Sequence, residues 1–146
     1  VLEDTGPASV IILFGNNDCR LKERDDPLIS LSEYKENLAK IIAQIRLRGK
    51  VPILSNLQPI DSEMFYKSLP HIKRLMVNIN SPKEWHRKYS LACEEVAAQE
   101  SIRLIDIRSI LERYGRDVIA SDGLHPNDKG HRIIAETFCD ALREYF

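Results

Sequence analysis

Two short polar stretches near opposite ends of the chain carry residue types that can do chemistry. Asp122-Gly123-Leu124-His125-Pro126 sets a carboxylate and an imidazole three residues apart, just ahead of a new apolar helical pattern. On such a tight turn Asp122 can accept from one ring nitrogen of His125, fix its tautomer and stabilise the imidazolium, leaving the other nitrogen free as a general base. An aspartate that caps a helix beside a surface histidine has the same local sequence, so this pair alone does not decide. The second stretch, Gly15-Asn16-Asn17-Asp18, directly follows the apolar run Ser9-Val10-Ile11-Ile12-Leu13-Phe14. Simple turns use these residues too. At the carboxyl end of a strand in an open α/β sheet, however, such a turn lies where ligands bind.

Both stretches need a scaffold, and hydrophobic periodicity outlines one. Ser9 to Phe14 is expected to be a strand buried on both faces, and Val51-Pro52-Ile53-Leu54 and Ile102 to Ile107 are expected to be two more. Pro52 fits only near the start of its strand. Between the first two strands, Cys19 to Ile29 reads as a charged surface loop. Ser30-Leu31-Ser32-Glu33 then opens a helix with Leu31, Tyr34, Leu38, Ile41, Ile42 and Ile45 on one face, stopped by Gly49. Asn56-Leu57-Gln58-Pro59 leaves the second strand at the same edge as Asn17. The stretch from Ile60 to Asn80 shows no clean period and fits a binding loop or irregular helix.

Ser81-Pro82-Lys83-Glu84 combines N-cap, first-turn proline and acidic third position ahead of Trp85, Tyr89, Ala92, Cys93, Val96 and Ala97. Arg108 to Tyr114 reads as a short helix ended by Gly115. A last helix from Pro126 to Tyr145 carries Ile133, Ile134, Phe138 and Leu142, with Cys139 beside that stripe and His131 at a capping position. Alternating buried strands and amphipathic helices predict a parallel α/β sheet covered on both faces.

Composition removes several classes. The 146 residues suit one domain, and 21 Lys and Arg against 22 Asp and Glu leave no basic stripe for nucleic acid. Apolar runs fall well short of the ~20 residues of a membrane span, and no leader pattern occurs in these residues. Three widely spaced cysteines, Cys19, Cys93 and Cys139, argue against a disulfide framework, so reduced thiols and a soluble chain are expected; they favour the cytoplasm slightly, and the sequence does not fix the compartment. A metal-dependent hydrolase would have to draw on Asp18, Asp122 and His125, without a His-x-His or His-Glu-x-x-His cluster. A flavodoxin-like nucleotide binder would need a glycine-rich phosphate turn, which Gly15-Asn16-Asn17-Asp18 is not.

Taken together and in this order, Gly15-Asn16-Asn17-Asp18 and Asp122-Gly123-Leu124-His125-Pro126 resemble the third and fifth sequence blocks of the SGNH or GDSL-type esterase and lipase superfamily. The resemblance implies a three-layer α/β/α sandwich with a flavodoxin-like parallel sheet. It implies that Asn17 donates its side-chain amide to an oxyanion hole, that His125 is the base and Asp122 its orienter, and that neither metal nor cofactor is needed. The substrate implied is a small-molecule ester, cleaved through an acyl-enzyme.

That family places its nucleophile in a Gly-Asp-Ser block on its first strand, and no Gly-Asp-Ser occurs here. Gly6 lies too close to the first strand to serve as the family's second oxyanion glycine, and none of Ser9, Ser55 and Ser121 sits in a strand-to-helix elbow. The expectation is therefore one SGNH-like domain over 1–146, N-terminally incomplete, with the serine on an upstream segment of roughly 30 residues or more. On that reading residues 1–146 alone are inactive. The alternative is an SGNH-like binding module without a nucleophile. The missing strand would also leave the edge of Val10 to Phe14 open, to be covered by the upstream segment, a second copy of the chain or a swapped element.

Overall fold

The computed structural model describes residues 9–143. Val1, Gly6 and Tyr145, which enter the expectations above, lie outside the described residues. In chain order the elements are β1 (Ser9–Ile12), a small hairpin of β2 (Leu21–Glu23) and β3 (Asp26–Pro27), α1 (Leu31–Leu47), β4 (Val51–Ser55) and α2 (Ser62–Ser68). A 3-10 helix (Pro70–Arg74), α3 (Pro82–Gln99), β5 (Arg103–Ile105), α4 (Ile107–Glu112), a second 3-10 turn (Gly115–Val118) and α5 (Asp128–Leu142) complete it.

β1, β4 and β5 form a parallel sheet in the order β1-β4-β5, with Ile12 opposite Leu54 and Leu54 opposite Leu104. Side chains alternate across a strand, so the two faces receive different residues. Ile12 and Leu54 point to one face, where they pack with Tyr34, Leu38 and Ile42 of α1 and Tyr89, Cys93 and Val96 of α3. Ile53 and Ile105 point to the other, against Ile107 of α4 and Ala141 of α5, with Ile11, Ile134, Phe138 and Leu142 half-buried around them. This is the three-layer α/β/α arrangement that the alternation of strands and helices predicts.

The helix starts follow local chemistry. Ser30 Oγ accepts from the Glu33 amide at 3.2 Å and Ser81 Oγ from the Glu84 amide at 3.1 Å. Caps of this kind stabilise a helix by about 1 kcal/mol each. Asp61, Asp106 and Asn127 cap α2, α4 and α5 in the same way.

Several boundaries differ from the sequence reading. β1 ends at Ile12, and Phe14 is 60% exposed. The Phe14 carbonyl accepts from the Tyr34 hydroxyl at 2.6 Å, which draws the chain out of the ladder. β1 is also not buried on both faces: only Ile12 is buried, because β1 is an edge strand that pairs with β4 alone among the described residues. β5 stops at Ile105 because Asp106 turns its carboxylate onto the Ser109 amide at 3.0 Å, so Ile107 starts a helix instead of ending a strand. The α5 stripe is half-buried where burial was expected, and α5 begins at Asp128 because Asn127 caps it. The surface loop from Cys19 holds the β2-β3 hairpin. The aperiodic stretch from Ile60 folds as α2 and a 3-10 helix, neither of which has a fully buried residue.

Candidate active site

Gly15 starts the first polar turn and no other residue fits there. Its φ is +131°, and an added Cβ would meet the Tyr34 hydroxyl at 2.4 Å and Leu57 Cδ1 at 3.0 Å. The turn closes by hydrogen bonds from the Cys19 amide to the Gly15 carbonyl (3.2 Å) and from the Arg20 amide to the Asn17 carbonyl (3.1 Å). It presents two adjacent asparagines differently. Asn16 is committed on both sides of its amide, donating to Gln58 Oε1 at 3.1 Å and facing His86 Nε2 at 2.9 Å. Asn17 is exposed, and its side chain has no hydrogen-bond partner among the described residues.

The second polar turn is held as firmly. Gly123 has φ +75°, and a Cβ there would sit 2.3 Å from the Phe65 amide nitrogen and 2.7 Å from the Asp61 carbonyl oxygen. The Asp61 amide donates to the Gly123 carbonyl (2.9 Å), the Ala120 amide to the His125 carbonyl (2.8 Å), and Gln58 Nε2 to the Leu124 carbonyl (3.3 Å). Within this frame His125 Nδ1 lies 2.6 Å from Asp122 Oδ2. Asp122 Oδ1 accepts from the Leu124 amide at 2.8 Å and the His125 amide at 3.0 Å. Partial burial pushes the Asp122 carboxyl upward. The hydrogen bonds from the His125 ring and from the two amides, with the imidazole charge, outweigh that and hold it below its ordinary range. An ionised Asp122 accepts the Nδ1 proton, so Nε2 is the free nitrogen of His125. The side chains of His125 and Asp122 are 66% and 38% exposed, so the pair stands open to solvent.

Asn17 and His125 line one cleft of about 630 Å³, between the β2-β3 hairpin, the segment of α2 and the first 3-10 helix, and the start of α3. The geometry thus brings together two groups from stretches more than a hundred residues apart. His131 contributes its backbone amide to the first turn of α5, bonded to the Asn127 carbonyl at 2.8 Å. Among the described residues no group of three or more His, Cys, Asp or Glu is placed to hold a metal ion. Burial pushes the Cys19 thiol up to about 12 and the Cys93 thiol to about 11, so neither offers a thiolate nucleophile. Ser55 is fully buried, donating to the carbonyls of Asn56 and Ile105, and Ser121 is exposed on its loop.

A model of the GDSL-like lipase/acylhydrolase family matches residues 1–133. The chain belongs to this family. A GDSL esterase/lipase of Arabidopsis thaliana is 31% identical over 97% of this chain and 62% of its own length. A GDSL esterase/lipase of Oryza sativa subsp. japonica is 28% identical over 94% of this chain and 54% of its own. The chain therefore spans somewhat more than half the length of these two relatives. Among solved structures, the lipase/acylhydrolase from Enterococcus faecalis matches with a TM-score of 0.73 at 21% identity, over 95% of this chain and 63% of that one. That likeness shows the fold.

Behind the two turns of this GDSL-like chain lies a polar network that sequence reasoning missed. Arg108, 4% exposed, donates from Nε to Ser90 Oγ (2.9 Å) and from Nη2 to the Gln58 carbonyl (2.9 Å) and His86 Nδ1 (2.8 Å). Its Nη1 pairs with Glu112 Oε1 at 3.5 Å as an ion pair and makes no hydrogen bond. A guanidinium has no lone pair to offer, so His86 Nδ1 must accept and His86 Nε2 must carry the proton. Nε2 then donates to Asn16 Oδ1. Burial first, and then the Arg108 charge, push the His86 imidazole down to about 3, so it is neutral at physiological pH. The donors run in one direction, Arg108 to His86 to Asn16 to Gln58 to the Leu124 carbonyl, and tie the Asn17 turn to the His125 turn. One signal was legible: His86 falls in phase with Tyr89, Ser90 and Cys93 on the buried face of α3, a titratable group on a core stripe.

Proposed function

We propose that the protein hydrolyses a small carboxylic ester through an acyl-enzyme, with His125 as general base, Asp122 as its orienter and Asn17 as an oxyanion-hole donor. The observation that carries this reading is the 2.6 Å Asp122–His125 hydrogen bond on the same cleft as the uncommitted amide of Asn17. A serine hydroxyl attacks the ester carbonyl carbon while His125 Nε2 takes its proton and Asp122 stabilises the imidazolium. The carbonyl oxygen gains the negative charge and Asn17 donates to it, a contact worth roughly 2.7 to 4 kcal/mol in the transition state. The imidazolium then protonates the departing alkoxide, and water repeats the sequence to free the acid.

In this reading the serine comes from outside residues 1–146, which form the larger part of a single SGNH-type domain. The absence of a Gly-Asp-Ser block and the 54% and 62% of its relatives that the chain spans support that placement. An upstream strand, or a second copy of the chain, pairs along the open edge of β1. The three unbonded cysteines fit a reducing compartment such as the cytoplasm, and no described helix is long and apolar enough to cross a membrane. A second reading, a binding module without a nucleophile, is favoured by the same missing block.

Labelling the full-length polypeptide with a fluorophosphonate, followed by peptide mapping, separates these readings. A labelled serine outside residues 1–146, with labelling lost in His125→Ala, is expected. A labelled residue within 1–146 overturns the placement of the nucleophile. No labelling together with no ester turnover selects the binding module.

A further inference from the structure

The turn that carries His125 is gripped on both flanks by residues outside its cleft. On the amino side, the Asp61 amide donates to the Gly123 carbonyl at 2.9 Å, and Gly123 sits so close to the Asp61 carbonyl and the Phe65 amide that no side chain fits between them. On the carboxyl side, Ile119 and Pro126 pair as an isolated antiparallel bridge. The Asn127 amide donates to the Val118 carbonyl at 3.0 Å, and Asn127 Nδ2 to the Asp117 carbonyl at 3.0 Å. The first grip belongs to the start of α2 and the second to the 3-10 turn Gly115–Val118.

One side chain joins the two grips. Arg116, on the 3-10 turn, donates from Nε to Asp61 Oδ2 at 2.7 Å and from Nη2 to Asp61 Oδ1 at 3.3 Å, and Nη2 also reaches Glu63 Oε2 at 2.7 Å. Isolated surface ion pairs contribute little, but a two-pronged guanidinium–carboxylate contact within a network of charges is the exception. Here the Asp61 side chain is only 16% exposed, and Glu63 is itself paired with Lys67 at 3.0 Å. Asp61 Oδ1 also caps α2 through the Met64 amide at 2.9 Å, so the carboxylate that receives Arg116 cannot swing away without uncapping the helix. A ring closes from Gly123 through Asp61, Arg116, the 3-10 turn and Asn127 back to His125. Asp61, Glu63 and Arg116 line a separate cleft of about 640 Å³, whose lining includes neither Asn17 nor His125. The ring is built from segments that follow β4 and β5, not from the edge of β1 where the upstream segment is proposed to pair.

From this we infer, resting on the esterase reading, that Asp61 and Arg116 are positioning residues for His125. The bond to Asp122 orients the imidazole within its turn. The Asp61–Arg116 pair fixes where that whole turn stands against α2, and thereby where His125 Nε2 meets the reacting groups. Neither residue touches the substrate.

The test uses the full-length polypeptide with para-nitrophenyl acetate as the probe. Arg116→Ala removes the clamp and keeps the Asp61 cap, whereas Asp61→Asn keeps a capping side chain and loses the charge that Arg116 grips. Each should lower kcat on the order of tenfold with KM within about twofold of wild type, because a slightly displaced base fails in the transition state and not in ground-state binding. The double variant should fall no further than either single one, since both changes break the same contact. In hydrogen exchange, the Asp61 and Asn127 amides should exchange about tenfold faster in Arg116→Ala, while the Glu33 amide, capped by Ser30 on α1, keeps its rate. Faster exchange with kcat unchanged would reduce the ion pair to a structural contact and overturn the assignment while leaving the esterase reading standing. Unchanged exchange, or losses in kcat that multiply in the double variant, would overturn it as well. A wild type that hydrolyses no ester sinks the esterase reading, and the positioning role falls with it.

Discussion

His125 and His86 carry the same ring into opposite circumstances. The His125 side chain is 66% exposed and its Nδ1 is bonded to the Asp122 carboxylate at 2.6 Å. His86 is 2% exposed and bonded to a guanidinium that disfavours its charged form. In the proposed mechanism the first gains and loses a proton, whereas the second keeps one tautomer. The difference shows how a site divides labour: chemistry needs a group that water and substrate can reach, whereas position needs a group whose hydrogen bonds have no competitor. Exposed groups contribute little to stability, and a buried polar group contributes mainly through what happens when its partner is removed.

If this division holds, substitutions at the two rings should move opposite observables. The largest effect is expected for His125→Ala in the full-length polypeptide, a fall in kcat of roughly 10⁴- to 10⁶-fold. Its unfolding free energy by urea titration should stay within about 0.5 kcal/mol of wild type, as for surface changes generally. Turnover close to the wild-type rate would break the comparison at its first term. Asn17→Ala should lower kcat by roughly 10²- to 10³-fold with little change in KM, since its amide meets charge that develops only in the transition state.

The mirror experiment is His86→Leu. It strands Arg108 Nη2 from one acceptor and leaves Asn16 Oδ1 unpaired, which should cost about 2 to 4 kcal/mol of folding free energy. Its effect on kcat should be smaller than that of Asn17→Ala. It should also largely disappear in an Asn17→Ala background, because His86 acts on the reaction through the turn that presents Asn17. Full additivity of the two changes in kcat would mean that the buried chain does not position the oxyanion donor.

The last prediction is a pH dependence of stability. Folding lowers the His86 pKa from 6.5 to about 3, so between these values the unfolded chain binds the proton and the folded one does not. Stability from this group is therefore present above pH 6.5 and is lost as pH falls toward 3, by at most about 1.4 kcal/mol per pH unit. Urea titrations across that window should show a slope in the wild type that is shallower in His86→Leu. Equal slopes would show that other groups carry the acid sensitivity.

Much of the scaffold was legible because its causes are local. Ser30 and Ser81 cap the helices that their side chains announce, Gly15 and Gly123 stand where the backbone has positive φ, and the aliphatic runs pair as parallel strands. The Asp122–His125 bond was legible too, since three residues of sequence span it. Boundaries were less so. Phe14 leaves its ladder because of a tyrosine on a later helix, and Ile107 joins a helix because Asp106 caps it.

By itself, then, the sequence determined the order of the three sheet strands and of the long helices that cover them, the two polar turns and the carboxylate–imidazole pair, all of which depend on neighbours within a few residues. Only the tertiary structure decided which of two adjacent asparagines is free. Asn16 and Asn17 are chemically the same, but Gln58 and His86, from distant segments, claim both ends of one amide and leave the other facing the cleft. The tertiary structure likewise turned Phe65, Leu69, Ile72 and Leu75, which follow no clean period in sequence, into one apolar wall beside His125. Contacts of that range are set when separate elements pack, and no local pattern of residues encodes them.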